Sequence, residues 1–129
     1  MNELSEIISE VTFSSLCEAV ELQDENTVDF KLKHSFHGNR HDEVFCFHKT
    51  DDDLFLLDKG STLANLDDIF ELGEPDVIKN IVAVMKKFNM GKAGGALICS
   101  IDPSTELIPQ ILRFLQGVNF LYAMKLFYI

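Results

Sequence analysis

Three short segments constrain the fold more than any other feature of this sequence. Residues 27–33, TVDFKLK, place an apolar side chain at every second position, which is the period of a half-buried β-strand. Residues 44–48 (VFCFH) and 54–57 (LFLL) are apolar runs separated by KTDDD. Two such runs around a polar segment predict a β-hairpin with the acidic residues in its turn.

Helical spacing of apolar residues predicts helices on both sides of these strands. Residues 3–20 predict an amphipathic helix, and residues 62–70 a short one after the hairpin. Pro75 suits the first turn of a helix that runs to about Asn89, with Gly91 as its C-terminal cap. The predicted apolar face of that helix consists of Ile78, Ile81, Val82, Met85 and Phe88.

The last third of the chain predicts one more strand and one more helix. Residues 96–101, ALICSI, form a short apolar run that suits a further strand of the same sheet. An apolar helix follows from about Thr105, with Pro109 in its first turns. The predicted fold is α+β, an antiparallel sheet of three to four strands with helices packed on one face. At 129 residues, we expect one domain over 1–129.

Cysteine usage and hydropathy bear on the compartment. Cys17, Cys46 and Cys99 are widely spaced and odd in number, which favours a reducing cytoplasm over a secreted disulfide scaffold. The N-terminus has acidic residues where a secretory signal has basic ones. Because Arg113 and Lys125 interrupt the most apolar stretch, we expect no membrane span.

The charge is unevenly distributed along the chain. Residues 1–76 have 19 acidic against five basic residues, a formal balance of −14, and residues 77–129 have two against six, which is +4. An acidic surface repels phosphate backbones, so we expect no direct nucleic-acid binding. Such a surface attracts a basic protein partner, or serves solubility alone. The residues expected to meet that partner are Asp51, Asp52, Asp53, Asp67, Asp68, Glu71 and Glu74.

The stretch 56–68, LLDKGSTLANLDD, looks like a catalytic phosphate loop. Phosphatases of the haloacid-dehalogenase type need a second aspartate two residues after the first, where this chain has Gly60. We therefore expect an architectural role: Asp58 ends the strand, and Ser61 or Thr62 caps the following helix.

Two segments, FHGNRHDEVFCF at 36–47 and DLFLLDKGSTLANLDDI at 53–69, resemble a prophage-associated bacterial and phage family of unknown function. The shared features are an Arg-His-Asp loop, a strand, and an Asp-x-Gly-x-Thr turn that leads into a helix. This chain departs from the pattern with Lys59 and Ser61 in the turn. The resemblance implies a phage or mobile-element setting and assigns no catalytic residue.

All four histidines lie close together in the sequence, and three of them, His34, His37 and His41, have spacing that could converge on a metal ion. No H-E-x-x-H or C-x-x-C pair supports a metal site, so we predict no cofactor. Arg40, His41 and Asp42 form a polar loop that, with Asp58, is a second candidate site. A hydrogen-bonded structural loop is the favoured explanation, because most polar loop clusters are solvated or structural.

The apolar stretch after residue 107 predicts a helix that is hydrophobic around most of its circumference. Phe114, Phe120, Tyr122 and Phe127 are candidates for a second apolar surface, which predicts either a homodimer or cover by the N-terminal helix.

The sequence therefore supports three hypotheses. The first is a non-catalytic phage- or prophage-associated interaction or inhibitor protein, which binds a basic host, defence or toxin protein through its acidic surface. The alternative is a metal-dependent hydrolase or nuclease built on the His34 to His48 cluster, with His37, His41, Asp42 and Asp58. The third is a module that binds an anionic small molecule near Arg40.

Overall fold

A computed structural model describes residues 17–32, 44–58, 62, 66 and 74–124. In chain order its elements are β1 (Cys17–Asp24), β2 (Thr27–Leu32), β3 (Val44–Lys49), β4 (Leu54–Leu57), α1 (Pro75–Lys87), β5 (Gly91–Ala93), β6 (Ala96–Ser100) and α2 (Leu107–Ala123). The α+β class is confirmed, as are the hairpin of β3 and β4 and the late strand β6.

Among the described residues, the sheet has six antiparallel strands in the order β1-β2-β3-β4-β6-β5. The prediction of three to four strands is therefore wrong. It missed β1 because residues 17–20 continue the apolar spacing assigned to the N-terminal helix, and the structure places them in a strand. The rest of that predicted helix, residues 3–16, lies outside the described residues.

The prediction also missed β5, which is only three residues long. It forms a hairpin with β6 through Gly94 and Gly95. Both glycines have positive φ angles, 56° and 88°. Two-residue turns of this kind match the twist of the flanking strands, and glycine adopts the required backbone angles without strain.

One face of the sheet is buried and forms one side of the hydrophobic core. Phe30 pairs with Phe45, and Phe47 pairs with both Val28 and Leu56. Directly paired residues of antiparallel strands lie on the same face. All five side chains are at most 2% exposed, and the Phe30 ring stacks on Phe45 and Phe47 at centroid distances of 5.8 and 5.3 Å.

Both described helices share this core. Phe114 of α2 meets Phe45 edge to face, with ring centroids 6.2 Å apart. From α1, Val77, Ile81 and Val84 join the same cluster. The predicted face of α1 is thus rotated, since Ile78 and Val82 are 45% and 42% exposed.

Helix α1 ends earlier than predicted, and Gly91 is not its cap. Asn89 has a φ of 59°, the left-handed conformation that commonly ends a helix. The Met90 N–H donates to the Met85 carbonyl at 2.8 Å, and the Asn89 N–H donates to the Lys86 carbonyl at 3.2 Å. These two bonds make a Schellman motif, so Gly91 is free to begin β5.

The turn after α1 packs against α2 at Gly117. A Cβ atom on Gly117 would lie 2.6 Å from the Met90 sulfur and 2.9 Å from Phe88 Cβ. The Met90 side chain can move, but Phe88 Cβ is fixed by the backbone. A glycine is therefore needed inside this helix, where its backbone freedom is otherwise a cost.

We expect Gly117→Ala to lower the free energy of unfolding by about 1–3 kcal/mol, since overpacking outweighs the roughly 1 kcal/mol that alanine gains in helix propensity. Urea unfolding measures the change. Gln116→Ala, at an exposed position of the same helix, is the control and should change stability by less than about 0.5 kcal/mol. A Gly117→Ala protein more stable than the parent would contradict the described packing.

Candidate functional site

The connectivity of the sheet gathers acidic residues at one end. The β1–β2 turn, the β3–β4 turn and the segment between β6 and α2 all leave the sheet at that end, because neighbouring strands are antiparallel. We call this surface the acidic end. Its exposed carboxylates are Asp24, Glu25, Asp51, Asp52, Asp53, Asp102 and Glu106.

Backbone hydrogen bonds hold the three segments together. The Lys49 N–H donates to the Asn26 carbonyl at 2.8 Å, which joins the β1–β2 turn to the end of β3. The Ile101 N–H donates to the Leu54 carbonyl at 2.8 Å, which places Asp102 beside the start of β4. The three segments, residues 24–27, 49–54 and 100–106, contain a single basic residue, Lys49, which is half-buried.

The turn between β3 and β4 is fixed by its own threonine. The Thr50 N–H donates to the Asp53 carbonyl at 2.8 Å, and the Asp53 N–H donates to Thr50 Oγ1 at 3.1 Å. These bonds satisfy the turn's backbone without using a carboxylate. The side chains of Asp51, Asp52 and Asp53 extend from this ordered turn and are exposed.

Gln110 organises the third segment from the first turns of α2. Its Oε1 accepts the Asp102 N–H at 2.7 Å, and its Nε2 lies 3.0 Å from the Asp102 carbonyl and 2.9 Å from Thr105 Oγ1. The Asp102 carboxylate in turn accepts hydrogen bonds from Ser104 Oγ at 2.6 Å and from the Ser104 N–H at 2.9 Å. Asp102 and Glu106 are therefore presented on a defined backbone.

The two bonds from Ser104 lower the pKa of Asp102 below its ordinary value of 3.8, with the hydroxyl contributing most. Hydrogen bonding to the charged form favours ionisation. Because the pKa is lower in the folded than in the unfolded chain, this contribution to stability is present at neutral pH. It is lost as the pH falls through the folded-state pKa.

We expect Ser104→Ala to raise the pKa of Asp102 toward its ordinary value, since the hydroxyl donor is removed while the backbone donor remains. The measurement is an NMR titration of the Asp102 carboxyl carbon. Thr105→Ala is the control, because Thr105 contacts the Asp102 carbonyl and not its carboxylate. An unchanged pKa in Ser104→Ala would contradict the described geometry.

Asp58, a candidate of the sequence, lies in the interior with its side chain fully buried. Its Oδ1 accepts the Leu97 N–H at 2.9 Å, and its Oδ2 accepts the Thr62 N–H at 3.1 Å. Thr62 itself is helical, so the expectation that its hydroxyl caps this helix is wrong. Asp58 supplies the acceptor, and Ser61 lies outside the described residues.

We expect Asp58→Ala to lower the free energy of unfolding by about 2–5 kcal/mol, since two buried N–H groups lose their acceptor. Asp58→Asn keeps one oxygen and should lose about half as much. Urea unfolding measures both. Asp52→Ala, which removes an exposed carboxylate from a turn, is the matched control and should stay within about 0.5 kcal/mol. A similarly small loss in Asp58→Ala would exclude the anchoring role.

The structure brings together only part of the predicted partner-binding set. Asp51, Asp52 and Asp53 belong to the acidic end, whereas Glu74 is exposed at the N-terminus of α1. The other predicted residues lie outside the described part of the chain: Asp67, Asp68, Glu71, Arg40, His41, Asp42, His34 and His37. Their roles stay predictions.

Sequence reasoning missed four members of the acidic end: Asp24, Glu25, Asp102 and Glu106. Each lies at or just after the end of a strand that leaves the sheet on the same side. The available signal was an acidic turn beside each apolar run. These turns could be recognised as one surface only once the strand order was known, because β6 pairs with β4 across a long separation in sequence.

The two cysteines whose side chains the structure describes, Cys46 and Cys99, are structural. Cys46 is buried in β3, as predicted, and Cys99 is partly buried in β6. Burial raises the pKa of the Cys99 thiol to about 12, although a backbone hydrogen bond at Leu56 and the charge of Arg113 lower it. A thiol with this pKa is a poor nucleophile at neutral pH.

Within the described residues, no group of three or more His, Cys, Asp or Glu side chains could hold a metal ion. His48, the described histidine of the sequence cluster, is exposed, and its Nδ1 lies 2.9 Å from Thr27 Oγ1. The other three histidines lie outside the described residues, so the metal hypothesis stays untested.

The apolar surface predicted for the last helix is smaller than expected. Phe114 and Tyr122 are 1% and 2% exposed, because both belong to the core. Phe120 is 43% exposed and contacts Phe88 with ring centroids 5.9 Å apart, and Lys87 Nζ lies 5.6 Å from the Phe120 centroid. Phe127 lies outside the described residues, and dimerisation stays a prediction.

Comparisons of the chain with protein-family models, curated proteins and solved structures found no match. The resemblance to a prophage-associated family therefore stays a prediction. In the described part of the chain, neither helix has the length and apolar character needed to cross a membrane.

Proposed function

We propose that this protein is a non-catalytic interaction protein that binds a basic protein partner through the acidic end. The supporting observation is the convergence of seven exposed carboxylates from three segments that are distant in the sequence. Backbone and side-chain hydrogen bonds order each of these segments. The acidic end is therefore a surface of defined shape as well as of high charge.

Electrostatics explains how such a surface would choose its partner. Clustered carboxylates raise the local concentration of basic faces and speed their association, and they repel phosphate backbones. The interaction would weaken at high salt, because exposed charges are screened over about 8 Å at physiological ionic strength. A surface of this kind favours a positively charged protein and disfavours nucleic acid.

The described residues favour binding over chemistry. Asp58, the carboxylate of the opening loop motif, accepts backbone N–H groups in the interior. Cys99 is held protonated by burial. The described groups that resemble catalytic residues in the sequence thus have structural roles that account for them.

The proposed biological setting is a phage or prophage product acting in the cytoplasm of a bacterial cell. It would act by occlusion, covering a basic functional face of a host, defence or toxin protein. An immunity protein that neutralises a basic toxin is one form of this function. The family resemblance and the cysteine pattern of the sequence support this setting.

The test is an affinity capture from the native host with the parent protein and two variants. In the first variant, Asp51, Asp52 and Asp53 become Asn, and in the control Asp76→Asn removes an exposed acid from the first turn of α1. We expect a basic partner that the parent and the control retain at low salt. The first variant should bind it at least about tenfold more weakly, because several charge contacts are lost together.

Two results would overturn this proposal. One is a partner whose affinity is the same at low and high salt and in all three proteins. The other is stoichiometric metal in the purified protein that is lost on changing His37 and His41, together with hydrolytic activity. The second result would establish the metal-dependent hydrolase as the function.

A further inference from the structure

Among the strands that the structure describes, β1 has an outer edge with no neighbour. β1 pairs with β2 on one side and is the first strand of the sheet. Every residue from Glu21 to Asp24 is exposed, so this part of the edge is accessible. Such a strand presents backbone N–H and C=O groups that can pair with another extended chain.

An exposed apolar side chain lies on this strand. Leu22 pairs with Val28 and thus shares the core face of the sheet. Val28 is 1% exposed, whereas Leu22 is 56% exposed. The core therefore stops short of Leu22, which is the most exposed of the large hydrophobic residues described.

The register limits how much of this edge can pair. Pairing with β2 is continuous from Ala19 to Leu22 and shifts on both sides, between Cys17 and Ala19 and between Leu22 and Asp24. Such irregularities twist a strand and restrict edge pairing. A short regular stretch gives few backbone hydrogen bonds, so binding there needs a further source of affinity.

Electrostatic attraction supplies the additional affinity and determines which kind of segment can pair with β1. The β1 sequence CEAVELQD has three acidic residues and no basic one, and the last of them, Asp24, belongs with Glu25 to the acidic end. A second copy of this chain would place like charges across the new strand pair, which is destabilising. An extended segment with basic residues would instead place opposite charges there.

We infer that β1 receives an extended basic segment of the partner as a seventh strand, with an apolar side chain of that segment over Leu22. This inference rests on the proposed function and adds the mode of binding. The segment's backbone pairs with residues 19–22, and its flanking Lys or Arg side chains reach the acidic end. Alternation of basic and apolar residues in the segment matches the two faces of β1.

The test uses a short synthetic peptide of alternating lysine and valine, and the same peptide N-methylated at two adjacent central residues. The two peptides have equal charge, but the methyl groups block backbone pairing along both edges. We expect the methylated peptide to bind at least about tenfold more weakly. The unmodified peptide should slow hydrogen exchange of those amides within residues 19–22 that point away from β2, observed by NMR.

Leu22→Ser should weaken binding of the unmodified peptide by about threefold to tenfold, since part of the apolar contact is lost. Leu112→Ser is the matched control, because Leu112 is 41% exposed on α2, and it should leave the affinity unchanged. Both variants change an exposed leucine, so both are expected to fold.

The outcomes separate this inference from the proposed function. If both peptides bind equally and the Asp51–Asp53 variant loses both, strand addition is wrong and the acidic surface stands. If methylation matters but Leu22→Ser and the β1 amides are unaffected, pairing occurs elsewhere and the assignment to β1 is wrong. If neither peptide binds at low salt, strand addition is overturned, and the host-capture experiment then decides the acidic surface separately.

Discussion

The buried carboxylate of Asp58 is the interaction on which the arrangement of this fold depends. It joins the end of β4 to the backbone of β6 and to the helical residue Thr62. A buried carboxylate is stabilising only when its oxygens accept hydrogen bonds. Here each oxygen of Asp58 accepts a hydrogen bond from a buried backbone N–H group. The sequence motif that looks catalytic is thus a structural connection between the two halves of the sheet.

That connection has a consequence at the opposite end of the sheet. Once β6 lies beside β4, the segment after β6 emerges next to the β3–β4 turn, and the β1–β2 turn already lies alongside. Acidic residues near positions 24, 52 and 104 become one surface. Part of the negative charge of residues 1–76 is thereby concentrated at one location in the fold.

The sequence was informative where a pattern had one interpretation. The alternation in β2, the hairpin of β3 and β4, and proline at the start of α1 all appear as predicted. Prediction failed where two periods overlapped: residues 17–20 suit a helix and a strand equally, and pairing with β2 decided between them. The rotation of α1, which buries Val77 and Val84, depended on the position of α2. The sequence predicts acidic turns, but it does not show that they lie together, because that depends on the order of the strands in the sheet.

The pairing of β4 with β6 also bears on how the chain reaches this structure. Asp58 and Leu97 are 39 residues apart, whereas β1 and β2, β3 and β4, and β5 and β6 are each joined by turns of a few residues. Hairpins close quickly, while pairing between distant segments slows folding because chain entropy is lost before the contact forms. Chain entropy therefore favours early closure of the local hairpins and late pairing of β4 with β6, and the acidic end depends on that pairing. Without the pairing of β4 with β6, the three acidic segments would not form one surface.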